Sequence, residues 1–320
     1  MGNGIGINRR HLFLLAGVGL VPAADLMSAR HFSDHASAVI DNLYAEYPRR
    51  DLAATARTAG AHLRSLAAVG GQRMRAHVAQ DVLMLQGRAG ALRARALVDA
   101  GDTEAAWRVL GTAIARASRA GDRRTVAFGF ATKSAADLAD RRPADALRIA
   151  ERGLHISGDD PRLYLAAARA HAARLDADAA DADVRIAERL LDEQNAPMIG
   201  GPMPGVTSRL EWSRAAVDVY SRTGRSDRAR DVLETTVADV PANLTEDTRQ
   251  ALGASYALVQ ARAEPDAGAD ILRRTLTASA TMGRPARTVT ARVDAFLAAV
   301  PDQRHPAVRD LVDLRRSLDV

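Results

Sequence analysis

The sequence contains no cysteine among its 320 residues. Disulfide bonds and thiolate metal sites are therefore excluded, and a reducing compartment is permitted but not required. Aromatic residues are also scarce, at 4% of the chain, whereas hydrophobic residues make up 47%. Alanine supplies much of this apolar content, and it is both the best helix former and small enough to let helices approach closely. No stretch alternates apolar and polar residues for long, as half-buried strands do, so we expect an all-α fold.

Lysine is nearly absent, because only Lys133 among the 44 basic residues is a lysine and the rest are arginine. We attribute this bias to the codon usage of a GC-rich bacterial genome. The net charge of +5 and the isoelectric point near 10.1 are typical of a nucleic-acid-binding protein. However, 39 acidic residues are interleaved with the basic ones, and no block of five like charges occurs. We therefore expect a solvated surface of mixed charge and no sequence-specific DNA binding by this chain alone.

The first 24 residues have a basic start at Arg9 and Arg10, followed by a short apolar run over residues 12–21. This run is too short for a transmembrane helix, which needs about 20 apolar residues, and we expect no membrane association. Residues 1–24 are interpreted as a linker helix, which predicts a cytoplasmic protein. The alternative is a twin-arginine-like export signal, which would make the chain an exported binding protein.

Residues 25–320 have the pattern of paired amphipathic helices with short turns between them. The turns contain Gly-Asp, Arg-Pro or Asp-Pro dipeptides, which end one helix and begin the next. About five residues after a turn, a small residue lies inside a helix. These positions are Ala106, Ala146, Ala182, Ala229 and Gly268, at intervals of 40, 36, 47 and 39 residues. Such intervals are typical of a solenoid built from helix pairs.

One unit matches the tetratricopeptide pattern, with Tyr220, Gly224, Ala229 and Pro241 at that repeat's spacing. Tyrosine fills the gap between units, glycine makes the turn, alanine admits the neighbouring helix, and proline ends the second helix. A second unit, over residues 94–113, follows the same frame. The predicted fold is therefore a tetratricopeptide-like right-handed helical solenoid of paired antiparallel helices.

The pattern has one clear interruption, at residues 194–208, where three prolines and three glycines exclude a helix. We interpret this loop as an inert link, and a flap that contacts a partner is the alternative. The two tryptophans, Trp107 and Trp212, lie at helical spacing among alanines and leucines and are expected in the core.

Four stretches resemble the carboxy-terminal, tetratricopeptide-like half of actinobacterial regulators that carry an amino-terminal helix-turn-helix of the Cro/repressor class. They are residues 8–17; residues 44–48 with 61–66; residues 116–122 leading into 142–147; and residues 282–287 through 305–309. The resemblance implies a regulatory binding domain. Because the chain begins where the helix-turn-helix of such regulators would end, DNA binding is not implied.

No catalytic motif is present: the sequence has neither a serine-centred elbow nor a phosphate-binding loop, and no pair of carboxylates is singled out. His31 and His35 are spaced to share one helical face, but no motif supplies a third metal ligand. We therefore expect no enzyme activity, no metal and no cofactor. An accessory enzyme on a helical scaffold is the alternative from another class.

The favoured function is a non-catalytic regulatory binding module, a sensor or an adaptor. Its ligand is expected to be a peptide, a protein segment or a small acidic molecule in a concave groove formed by the first helix of each unit. The predicted groove residues are Arg88, Arg95, Phe128, Tyr164, His171, Arg174, Glu211, Arg214, Asp218 and Gln250. Guanidinium groups beside aromatic rings favour a ligand with a carboxylate and an apolar body. A homodimer is left open.

Overall fold

The structure, a computed structural model, describes residues 29–47, 51–70, 75–199, 207–240, 246–281 and 287–318. These ranges contain fourteen helices and no strand, which confirms the all-α prediction. The helices are α1 (Ala29–Glu46), α2 (Leu52–Gly70), α3 (Ala76–Ala100), α4 (Thr103–Arg119), α5 (Arg123–Ala139), α6 (Pro143–Ile156), α7 (Pro161–Ala173), α8 (Ala177–Glu193), α9 (Arg209–Arg222), α10 (Ser226–Asp239), α11 (Glu246–Gln260), α12 (Pro265–Thr281), α13 (Arg287–Ala299) and α14 (Pro306–Ser317).

Several sequence predictions fall outside the described ranges. They include the segment 1–24, residues 200–206 of the loop 194–208, and Pro241. Within the ranges that are described, no helix is both long and apolar enough to cross a bilayer.

The turns between helices form as their dipeptides predict. Gly101, Gly121 and Gly224 each adopt a positive φ, between 74° and 90°, which glycine reaches without the steric cost of a Cβ. Asp102 then accepts a hydrogen bond from the backbone N–H of Ala105 at 3.0 Å and caps α4. Aspartates cap α5, α7 and α8 in the same way, and prolines open α6, α7, α12 and α14. Local chemistry therefore sets most helix boundaries.

The helices pack in chain order. Each even-numbered helix from α2 to α12 contacts the odd-numbered helices before and after it. The odd-numbered helices also contact one another in succession from α1 to α13, and α13 contacts α3. Helices α3, α5, α7, α9, α11 and α13 thus form a closed cycle of contacts, which we call the helix ring.

Small residues lie where the helices meet. Ala106, Ala146 and Ala229 are completely buried, and a Cβ on Gly268 would lie 2.6 Å from the ring of Phe296. The predicted position Ala182 is wrong, because it is exposed on α8. Its place is taken by the fully buried Ala180, two residues and about 200° away around the helix.

The tetratricopeptide-patterned unit has a polar anchor in its core. The Tyr220 hydroxyl donates to Asp181 Oδ1 at 2.9 Å, and Asp181 also accepts from Arg225 and Arg228. Burial alone would raise the pKa of Asp181, but the hydrogen bonds from Tyr220 and Arg228 outweigh it and the pKa is lowered. This anchor joins α8, α9 and α10.

The two tryptophans differ. Trp212 is buried and its indole N–H donates to the carbonyl of Val184 at 3.1 Å, as expected of a core residue. Trp107 is only half-buried, and the ammonium of Lys133 lies 4.1 Å from the centroid of its ring. The core prediction is therefore confirmed for Trp212 and holds only in part for Trp107.

The burial of Ala229 predicts the effect of a larger side chain there. We expect Ala229→Phe to lower the free energy of unfolding by about 1–3 kcal/mol, because overpacking pushes α9 and α10 apart. Chemical denaturation measures the change. Ala115→Phe, at an exposed position of α4, is the matched control and should have little effect. Equal stability of the Ala229→Phe protein and the wild type would contradict the packing described here.

Candidate anion-binding site

Four arginines of the helix ring lie close enough for their charges to interact: Arg95 of α3, Arg169 of α7, Arg214 of α9 and Arg292 of α13. Burial chiefly lowers the pKa of Arg169, and the charges of Arg292 and Arg95 lower it further. These four residues, which we call the arginine cluster, come from four different helices. The contact of α13 with α3 brings distant parts of the chain to one site.

Helix α9 supplies the acidic neighbours of the cluster. It begins with a capping box, in which Ser208 Oγ accepts from the backbone N–H of Glu211 and Glu211 accepts from the N–H of Ser208 at 2.8 Å. The carboxylate of Glu211 is therefore engaged at the amino terminus of the helix. Arg214 and Asp218 follow one and two turns later, on the same side of α9.

Two members of the cluster have carboxylate partners. Arg292 Nη2 lies 3.2 Å from Asp218 Oδ2. Arg95 Nε donates to Asp99 Oδ2 at 2.8 Å, and the same carboxylate accepts from the hydroxyl of Tyr47. The negative charge of Asp99 raises the pKa of Arg95. Arg292 and Arg95 thus have their partners within the chain, and neither ion pair requires a ligand.

The other two members, Arg169 and Arg214, have no such partner. Within the part of the chain that the structure describes, neither forms a hydrogen bond or an ion pair. The Nε atom of Arg214 is shielded from solvent without an acceptor, and Oδ1 of Asp218 is shielded without a donor. A buried polar atom without a partner is costly, so this pair of guanidinium groups needs a physical explanation.

The unpaired guanidinium groups lie in an enclosed place that solvent still reaches. By solvent accessibility, Arg169 is exposed and Arg214 is half-buried. Many protein atoms nevertheless surround both side chains. Burial first, and the charge of Arg292 second, lower the pKa of Arg214 to about 9. Both arginines remain protonated at neutral pH, so the cluster presents two positive charges that have no ion-pair partner among the described residues.

Four of the predicted groove residues meet at this site: Arg95, Glu211, Arg214 and Asp218. Arg88 lies elsewhere on α3, where it pairs with Asp41 of α1.

The prediction that Phe128 lines the groove is wrong. Phe128 is buried in the core and packs edge to face against Tyr44, with ring centroids 6.0 Å apart. Its aromatic surface is used up by packing and is not available to a ligand.

The residues predicted on α7 lie on a different face from the arginine cluster. His171 faces α8, with Nε2 at 3.8 Å from Asp183 and Nδ1 at 3.5 Å from Asp176 in the preceding turn. Tyr164 is half-buried against apolar side chains, and Arg174 is exposed at the end of the helix. The predicted groove position His171 is two residues from Arg169, the residue of α7 that joins the cluster, and two residues correspond to about 200° around a helix.

The last predicted groove residue is Gln250, whose side chain lies outside the described residues.

Sequence reasoning missed Arg169 and Arg292. A signal for Arg169 does exist, because it follows Arg162 by seven residues, as Arg95 follows Arg88. Residues seven apart share a helical face, so the repeated spacing indicates equivalent positions on α3 and α7. Nothing comparable marks Arg292, which joins the site only through the packing of α13.

The described residues contain no group of three histidine, aspartate or glutamate side chains placed to hold a metal ion. Of the predicted histidine pair, the side chain of His31 lies outside those residues. No protein-family model matches the chain, and a search of curated proteins finds no significant match. The chemistry of the arginine cluster is therefore the main guide to function.

The contact between α7 and α8 generates a pH-dependent prediction. Burial raises the pKa of Asp183 to about 6, although the neighbouring His171 opposes the shift. Because the folded state binds this proton more tightly than the unfolded chain, stability from this group is present below about pH 4 and is lost as the pH rises through about 6.

We expect Asp183→Asn, which stays uncharged, to remove this loss. Urea denaturation at several pH values from about 4 to 7 measures the free energy of unfolding. The control is Asp231→Asn, at an exposed position of α10, which should keep the wild-type profile. If the stability of the wild type and that of Asp183→Asn changed with pH in parallel, the assignment of this pH dependence to Asp183 would be contradicted.

Proposed function

We propose that the chain is a non-catalytic regulatory binding module whose helix ring binds a small anionic ligand at the arginine cluster. The observation that carries this proposal is the pair Arg169 and Arg214, which have no hydrogen-bond or ion-pair partner among the described residues, with Nε of Arg214 shielded from solvent. Buried charges are normally paired, because an unpaired charge lowers stability. A bound anion would supply the missing partner.

A small ligand fits this site better than an extended peptide or a protein segment. The arginine cluster lies among α3, α7, α9 and α13, and the contact between α13 and α3 closes the helix ring beside it. A long peptide needs an open groove that several successive helices line. A compact anion needs only converging donors, which the guanidinium groups supply.

The proposed architecture is a tetratricopeptide-like solenoid. In its favour, Gly224 has the left-handed conformation that the repeat's turn requires, Ala229 is completely buried, and Tyr220 fills the space between α8 and α9. The resemblance to the binding half of actinobacterial regulators supports a sensing role and a cytoplasmic location.

We expect nucleic acid to be a poor ligand. Many surface arginines are neutralised by nearby acids, as in Arg123 with Asp159 at 3.0 Å and Arg148 with Asp145 at 2.7 Å. Duplex DNA should therefore bind weakly, without sequence preference, and dissociate at about 150 mM salt, since only a few phosphate contacts can form. Fluorescence anisotropy with specific and scrambled duplexes over a salt series measures this. Tight binding of one sequence at that salt would favour a transcription factor instead.

Removing the two unpaired charges tests the proposed function directly. The wild type should be stabilised by sulfate or phosphate relative to chloride at equal ionic strength, because a ligand that binds only the folded state raises its stability. We expect the double variant Arg169→Gln, Arg214→Gln to lose this stabilisation. Without ligand it should be at least as stable as the wild type, since it no longer holds the half-buried guanidinium group of Arg214 without a partner. Thermal melts provide the readout.

The matched control is Arg119→Gln, which removes an exposed charge at the end of α4 far from the cluster along the chain. It should respond to sulfate as the wild type does. Arg95→Ala is a poor test by comparison, because it would leave the buried carboxylate of Asp99 without its cation. Equal stabilisation of wild type and double variant by sulfate would show that the anion binds elsewhere.

A further inference from the structure

We infer that a cavity between α2, α3 and α4 binds a small organic carboxylate with an apolar body. The cavity has a volume of about 180 Å³, and residues of all three helices line it. It shares no residue with the arginine cluster, so the inference adds a second binding site to the proposed function and does not depend on it.

Part of the lining is apolar, because the three helices meet at small residues. Helices α2 and α4 both pack against α3. The apolar lining consists of Leu63 of α2, Gly90 of α3, and Val109 and Ala113 of α4. Gly90 has no side chain to fill the space, and a Cβ there would lie 2.9 Å from the Cβ of Ala113. The backbones of α3 and α4 therefore approach closely, and an apolar hollow is left beside them.

The volume of the cavity suits a ligand whose apolar body is a single ring or a short hydrocarbon chain. An apolar cavity of about 150 Å³ is sufficient to bind benzene. The lining residues Arg108 and Thr112 are exposed, so the cavity is open to solvent on the side of α4. An apolar group that enters the cavity leaves water, and this transfer favours binding.

The polar part of the lining lies along one face of α4. Arg108, Thr112 and Arg116 follow one another at intervals of four residues, which places them on the same side of the helix. The charge of Arg108 is compensated by an ion pair with Glu104. Arg116 forms no ion pair with any residue that the structure describes. Its guanidinium group is therefore available to bind a carboxylate through two parallel hydrogen bonds.

The charges beside the cavity favour an anion over a cation. Arg93 lies one turn from Gly90 on α3, and a Cβ on Gly60 of α2 would lie 3.2 Å from its Nε. Like Arg116, it forms no ion pair within the described part of the chain. The side chains of Arg93 and Arg116 thus supply positive charge next to an apolar hollow, which is the combination that a small organic carboxylate complements.

Three probes separate the contribution of the charge from that of the apolar body. Benzoate has both, benzamide has the same ring without the charge, and acetate has the carboxylate without the ring. Isothermal titration calorimetry at constant ionic strength should show benzoate binding about tenfold or more tightly than either of the other two. The inference is overturned if benzoate does not bind, or if benzamide or acetate binds equally well.

Two variants test whether benzoate occupies the cavity. Arg116→Gln removes the unpaired charge, and Thr112→Phe places a ring at the mouth of the cavity without changing the charge. Each should weaken benzoate binding about fivefold or more. The matched controls are Arg119→Gln and Ala115→Phe, at exposed positions of α4 outside the lining, and both should bind benzoate as the wild type does. Wild-type affinity in Arg116→Gln and Thr112→Phe would refute the cavity as the site.

The arginine cluster is the competing site for benzoate, and Arg214→Gln distinguishes the two. This variant should keep the wild-type affinity for benzoate if the cavity is the site. Loss of binding in Arg214→Gln, with wild-type affinity in Arg116→Gln, would place benzoate at the arginine cluster and overturn the inference while supporting the proposed function. The sulfate test of the proposed function changes no residue of the cavity, so each of the two proposals can fail without the other.

Discussion

Close approach of helix backbones at alanine and glycine positions is the constraint on which the rest of the structure depends. A Cβ on Gly90 would lie 2.9 Å from the Cβ of Ala113, and one on Gly153 would lie 2.6 Å from Leu163 Cδ2. Such distances leave no room for a side chain on either glycine. Helices that pack this closely are held by many small contacts, and a chain with few aromatic residues can still bury a continuous core.

The same close packing explains why the arginine cluster forms. When α13 packs against α3, side chains from four helices of the ring meet, and their charges act on one another at short range. Two of the arginines are compensated within the protein and two are not. A half-buried charge without a partner, such as that of Arg214, lowers stability, and this supports the proposal that the cluster binds a ligand.

The accuracy of prediction from sequence depended on the range of the interactions involved. Turns such as the one at Gly101 and Asp102 could be predicted, because a left-handed glycine and a side-chain cap depend only on neighbouring residues. The register of a helix face is harder, since each residue turns the face by about 100°. A shift of two residues separated Ala182 from Ala180, and His171 from Arg169. The contact of α13 with α3 could not be predicted, because no local pattern encodes it.

What distinguishes a structural arginine from a binding one is its partner, and sequence alone does not reveal partners. Arg88 and Arg95 are seven residues apart, as Arg162 and Arg169 are, so Arg95 and Arg169 would be judged equivalent from the sequence. In the structure, Arg88 pairs with Asp41 and Arg95 with Asp99, whereas Arg169 has no acid within ion-pair distance among the described residues. The first two stabilise contacts between or within helices. Arg169 and Arg214 have no such partner among the described residues, and we therefore propose that these two residues bind the ligand.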